Sequence, residues 1–196
     1  MSTLVQSAKN GLITKEMRVV ARDEKESPKR ISQLLSEGRI VIARNVQRKK
    51  VHPLGIGEGL RIKVNANVGT SPDLCDLELE VKKAKIAVEY GADTVMDLST
   101  GGDLDEIRSA ILRAVEVPVG TVPIYQSAIE AAKRKGSIVN MTEDDMFNTI
   151  ETHAKDGVDF MTLHCGVTKR IVQEMSKHLR LMGIVSRGGT FLTAWI

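Results

Sequence analysis

The stretch Thr94-Val95-Met96-Asp97-Leu98-Ser99-Thr100-Gly101-Gly102 constrains the fold more than any other. Its apolar, β-branched start turns polar at Asp97, Ser99 and Thr100; two glycines follow, and Asp103 opens an amphipathic segment. That order specifies a buried strand, a tight turn with close backbone approach, and a capped helix start. Similar ends recur at Asn65-Ala66-Asn67, Pro123-Ile124-Tyr125, His164-Cys165-Gly166 and Ser186-Arg187-Gly188-Gly189. Positions 67, 96 and 125 are 29 residues apart in turn, and one strand with its return helix and two turns takes about 30. The period puts Asn67, Met96 and Tyr125 at equivalent ends of consecutive parallel strands. This is the pattern of a (β/α)8 barrel, with a doubly wound open sheet as the alternative.

Residues 1–59 read as an N-terminal extension and linker, and 60–196 as the first five βα units of a barrel. In the extension, a short helix is expected over 14–22. A second follows Ser27-Pro28, a cap with proline in the first turn; Ile31, Leu34 and Leu35 give it an apolar face, and Gly38 ends it. Residues 39–43 read as a strand, and 45–59 as a basic, then Pro/Gly-rich connection. Beyond it the expected order is strand 62–68, helix 78–90, strand 94–98, helix 104–115 and strand 117–122. Helices near 126–134 and 142–155 follow, then strand 158–163, helix 169–181 and strand 183–185. In the 78–90 helix, Leu79, Ala84, Ile86, Ala87 and Val88 are expected mostly inward; Thr142 to Asp145 resembles a capping box. A full barrel takes about 250 residues. Five strands and an apolar final run, Phe191 to Ile196, make the chain read as the front part of a larger enzyme.

The net charge of +3 is uneven: residues 1–50 hold 12 Lys/Arg against 5 Asp/Glu. The densest basic run, Arg48-Lys49-Lys50, is expected to be a solvated turn in preference to a phosphate contact. Aromatic residues make up 3%, too few for a base-stacking platform, so no nucleic-acid partner is expected. No apolar run approaches the roughly 18 residues of a membrane span, so no membrane partner is expected either. Residues 1–10 lack the apolar core of a secretory signal, which suggests a cytoplasmic protein. Cys75 and Cys165 have no metal-ligand spacing and read as reduced thiols.

Asn65 and Asn67 share one strand face, where asparagine is disfavoured. They either contact a ligand or bond within the barrel mouth. Asp97 suits a general base, a metal ligand or a loop anchor; Met96 suits the core. His164 precedes Cys165-Gly166 at a strand end and is either structural or part of a site. Tyr125 offers a phenolic donor. Ser186-Arg187-Gly188-Gly189 is the best anion site: glycines admit close approach, backbone N–H groups point outward, and Arg187 can grip phosphate with two donors.

Arg61-Ile-Lys63-Val-Asn65-Ala-Asn67-Val-Gly69-Thr-Ser71, Met96-Asp97-Leu98-Ser99-Thr100-Gly101, Val119 to Gln126 and Gly183 to Gly189 together resemble the phosphomethylpyrimidine synthase family of thiamine biosynthesis. The resemblance runs from about Glu16 to Ile196. It implies a barrel enzyme using S-adenosylmethionine and a [4Fe-4S] cluster, with a divalent metal, zinc or iron. Such enzymes rearrange aminoimidazole ribotide to hydroxymethylpyrimidine phosphate through a deoxyadenosyl radical. It also implies substrate contacts at Asn67, Met96, Tyr125, His164, Ser186, Arg187 and Gly188, and identifies no catalytic acid or base. The family's metal-binding histidines and triplet of cluster cysteines would lie beyond Ile196. Catalysis is therefore expected only with a complementing C-terminal half; by itself the chain is expected to form a homo-oligomer. The alternative function is a non-catalytic half-barrel that binds a phosphate or nucleotide and associates with itself or complements a partner chain.

Overall fold

The protein, described by a computed structural model for residues 2–178 and 181–196, is mixed α/β. Three helices open it: α1 (Leu4–Lys9), α2 (Lys15–Asp23) and α3 (Pro28–Ser36). Each starts at a hydroxyl cap, Thr3, Thr14 or Ser27, whose oxygen accepts a backbone N–H of the first turn. Met17, Val20, Ile31, Leu34 and Leu35 bury their side chains together with Ile40. Gly38, at φ +72°, ends α3 in the left-handed conformation that a side chain would resist. The helix α1 had no counterpart in the sequence reading.

Strand β1 (Ile40–Ala43) pairs antiparallel with β2 (Leu54–Gly57), Ile40 opposite Gly57 and Ala43 opposite Leu54. The 45–59 connection thus contains a strand. Of its basic run, Lys49 and Lys50 form the exposed turn expected, whereas Arg48 is folded inward. The guanidinium pairs with the fully buried Asp159 and donates to the carbonyls of Leu112 (2.8 Å) and Val115 (2.7 Å). Asn45 N–H donates to the same carboxylate at 2.7 Å, and Asn45 Nδ2 to the carbonyls of Ala154 and Val158. The segment therefore satisfies the backbone groups left open where helices end and strands begin.

The main sheet has four parallel strands in the order β3 (Asn65–Val68), β4 (Thr94–Asp97), β5 (Val119–Thr121) and β6 (Phe160–Met161). Helices α4 (Leu77–Glu89), α5 (Leu104–Ala114), α6 (Pro123–Lys135) and α7 (Glu143–Asp156) connect them, with a single 3₁₀ turn at Ile138–Asn140. Val68, Val95 and Val119 pack with Ala84, Ile107 and Ile111 as one core between sheet and helices. Of the α4 residues expected inward, Ala84 is buried, whereas Leu79 and Ile86 are exposed. The capping box forms between Thr142 and Asp145.

Two expectations about strands fail. The first strand begins at Asn65, not Ile62; Asp93 holds Val64 N–H through its carboxylate, and Ile62 is exposed. The expected strand at 183–185 is irregular chain. Gly183 has φ +63°, and Ser186 caps α9 (Arg187–Trp195). Helix α8 (Lys169–Lys177) precedes this segment; the end expected for that helix includes residues 179 and 180, outside the described residues. No helix is long and apolar enough to cross a membrane among the described residues.

Candidate functional site at the strand ends

Asn67 and Met96 are direct partners in the β3–β4 register, so the first 29-residue interval is a true structural repeat. The second is not. Met96 pairs with Gly120, and Tyr125 lies in the first turn of α6. Proline at 123 has no N–H for a strand ladder and a φ suited to a helix start, so β5 stops short of the expected strand end. Both asparagines are exposed; Asn65 Oδ1 accepts from Thr94 Oγ1 at 2.7 Å.

Asp97 closes β4. It is buried and accepts from Ser99 N–H (2.9 Å) and Ser99 Oγ (2.5 Å). Ser99 Oγ in turn accepts from Thr70 N–H at 3.1 Å, and Thr70 Oγ1 donates to the Gly101 carbonyl. Burial pushes the Asp97 carboxyl above its usual range, against the hydrogen bonds from Ser99. This residue anchors the loops after β3 and β4 to each other.

Five of the sequence-selected residues meet around the start of α9. Ser186 Oγ accepts from Gly189 N–H at 3.2 Å and shares a 3.1 Å hydrogen bond with His164 Nε2. Gly188 lies under the same imidazole; a side chain there would place its Cβ 2.6 Å from Nε2. The other ring nitrogen, Nδ1, is buried with no hydrogen-bond partner. The Arg187 guanidinium lies over the Tyr125 ring, 5.2 Å from its centroid, and Phe191 meets that ring edge-on at 6.0 Å. Arg187 makes no ion pair among the described residues, so the aromatic face orients its plane while its N–H donors stay available. Met96 is buried in the apolar cluster that holds Leu192 and packs against Tyr125.

Behind Tyr125 lies a polar network that single polar residues in helical segments did not announce. Arg108, 2% exposed, pairs with Asp156 and Asp105 and donates to Gln126 Oε1 at 2.7 Å. His153 bridges Gln126 Oε1 and Thr121 Oγ1, both at 2.8 Å. Burial first, and then the neighbouring Arg108 charge, push His153 down to about 4. The network and Asp97 line a small, partly open cavity of about 20 Å³, room for about one water.

No three His, Cys, Asp or Glu side chains converge as a metal site among the described residues. Cys75 and Cys165 are exposed and free. A site-differentiated [4Fe-4S] cluster needs three closely spaced thiolate ligands, and the chain holds two cysteines 90 positions apart.

The chain matches the model of the Radical SAM ThiC family over residues 3–196. It is 57% identical over 194 residues to a phosphomethylpyrimidine synthase of Methanocaldococcus jannaschii, covering 99% of this chain and 45% of that protein. The namesakes from Pyrococcus furiosus and Thermodesulfovibrio yellowstonii are each 56% identical with the same coverage. The chain therefore spans less than half the length of these curated relatives. A match that runs through every element from α1 to α9 leaves one assignment: the chain belongs to the Radical SAM ThiC family.

Proposed function

We propose that this chain is the ribotide-binding part of a phosphomethylpyrimidine synthase, and that its four-stranded sheet is the opening portion of a (β/α)8 barrel. Residues 1–59 serve as an extension to that barrel. The reading rests on one observation: Arg187 stacks on Tyr125 beside the His164–Ser186–Gly188 cluster, at the start of a helix. A guanidinium with free donors next to a helix N-terminus is a phosphate-binding arrangement. Aminoimidazole ribotide carries that phosphate. Asn67, on the strand paired with Met96, supplies an amide toward the sugar or ring, and His164 Nδ1 gains the partner it lacks within the protein.

The radical chemistry of the family requires S-adenosylmethionine and a cluster. The two cysteines of this chain do not fit a cluster site, and no metal-binding group is found for zinc or iron among the described residues. This chain's residues therefore bind and orient the ribotide; the cluster and metal ligands belong to the rest of the family polypeptide.

Calorimetric titration of the ribotide tests this, with this chain joined to the part of a relative that it does not match. Arg187→Ala removes a charge-assisted contact worth roughly 1.5–3 kcal/mol, about ten- to hundredfold in affinity. Asn67→Ala removes a neutral contact worth roughly 0.5–1.5 kcal/mol. Equal losses, or an unaffected Arg187 variant, would place the phosphate elsewhere.

A further inference from the structure

Among the described α-helices, α6 alone starts without a side-chain cap: Val122 precedes it and offers no oxygen to the first-turn N–H groups. Yet that turn carries Tyr125, on whose ring Arg187 is stacked. What holds the turn is the next side chain, the buried Gln126. Its Nε2 donates to two carboxylates, Asp105 Oδ1 at 2.8 Å and Glu130 Oε1 at 2.7 Å, which fixes the nitrogen end of the amide. Oε1 must then accept, and it faces Arg108 Nη1 at 2.7 Å and His153 Nε2 at 2.8 Å.

The roles within the network follow one from another. Burial holds the His153 ring neutral, and a neutral imidazole has one N–H and one bare nitrogen. Because Nε2 donates to Gln126, Nδ1 is bare and accepts from the Thr121 hydroxyl at 2.8 Å. The other tautomer would let Nε2 accept from Arg108 Nη1, 3.1 Å away, but would set a lone pair against Gln126 Oε1. Strand β5, helix α5 and helix α7 thus converge, through Thr121, Arg108 and His153, on one amide of α6. We propose that these three are positioning residues for phosphate binding. They lock the Gln126 side chain, which holds the first turn of α6 and with it the Tyr125 ring that orients the Arg187 guanidinium. The proposal rests on the ribotide-binding reading above and identifies what sets the direction of its cation.

Two measurements test it, on this chain joined in one polypeptide to the unmatched portion of the Methanocaldococcus jannaschii relative. Nitration by tetranitromethane, mapped peptide by peptide without ribotide, reads the Tyr125 ring directly; Tyr90, 84% exposed at the end of α4, is the internal reference. Gln126→Met keeps the length of the side chain and loses its amide. It should speed nitration of Tyr125 about fivefold as the turn opens locally, while Tyr90 keeps its rate. Thr121→Val, the loss of one buried hydroxyl, should act in the same direction, and it decides the matter if a thermal melt shows Gln126→Met unfolded. By calorimetry, ribotide affinity should fall about five- to tenfold in both variants. The dephosphorylated riboside, which has nothing for Arg187 to grip, should bind as before. In an Arg187→Ala background, Gln126→Met should cost no further ribotide affinity. An unchanged Tyr125 rate in Thr121→Val would overturn the proposal. So would equal losses for ribotide and riboside, the mark of a merely structural role. Faster Tyr125 nitration, with ribotide affinity untouched by Arg187→Ala, would leave the hold on Tyr125 standing and overturn the binding reading alone.

Discussion

The imidazole of His164 occupies the space above Gly188: a Cβ at that position would lie 2.6 Å from Nε2 and 2.8 Å from Nδ1. The glycine is thus required for lack of a side chain, not for an unusual φ, and it lets a helix start and a histidine share one corner of the candidate site. Gly188→Ala should push the ring off Ser186. Overpacking of this kind costs about 1–3 kcal/mol, and phosphate-dependent ribotide affinity should fall with it. A thermal melt and a calorimetric titration on the joined protein check both; an unchanged affinity would remove His164 from the site.

Arg48 should matter to stability far more than a surface basic run would. Its side chain is 11% exposed and its partner Asp159 is completely buried. Arg48→Ala leaves that carboxylate without its counter-ion, and breaking a buried pair costs about 3–5 kcal/mol. The remaining N–H donors of Asn45 and Val119 soften the loss toward the lower figure. Arg48→Lys should recover only part of it, because an ammonium cannot reach the carbonyls of Leu112 and Val115 with the guanidinium's fork. Urea unfolding of the two variants measures the difference.

His153 should give the protein an acid-side weakness. Its folded value of about 4 lies below the ordinary 6.5, so the unfolded chain takes up the proton first. Stability is then unaffected above about pH 6.5 and declines as pH falls toward 4, by on the order of 3 kcal/mol, before levelling off. Asp97 opposes the trend, since its raised value means that protonation relieves a buried charge in the folded state. His153→Asn should flatten the slope between pH 6.5 and 4, whatever it does to stability at neutral pH. Chemical denaturation at a series of pH values reads that slope; an unchanged slope would assign the acid limb to other groups.

The isolated chain should show no synthase activity after iron–sulfur reconstitution, because two cysteines 90 positions apart cannot supply three cluster thiolates. The measurement is hydroxymethylpyrimidine phosphate and deoxyadenosine formed by the purified 196-residue chain. Stoichiometric amounts of both would defeat the prediction.

The local elements were decided by the sequence itself. Thr14, Ser27, Asp103 and Thr142 cap the helices they precede, because a short polar side chain next to an apolar period satisfies orphan N–H groups wherever the chain goes. The register of Asn67 with Met96 was legible as a spacing, since one strand and one return helix have a nearly constant length. Tyr125 shared that spacing but not the structure: Pro123 ended β5 early, and only the folded backbone turned the tyrosine to meet Arg187. Contacts across long separations lay beyond any local pattern. Arg48 finds Asp159, and Arg108 and His153 find Gln126, through the packing of helices onto the sheet. A charged or polar residue in a sequence carries no mark of whether water or a buried partner will receive it. Desolvation and pairing are properties of the assembled core, and there the tertiary structure decided which polar residues anchor the fold and which remain free to bind.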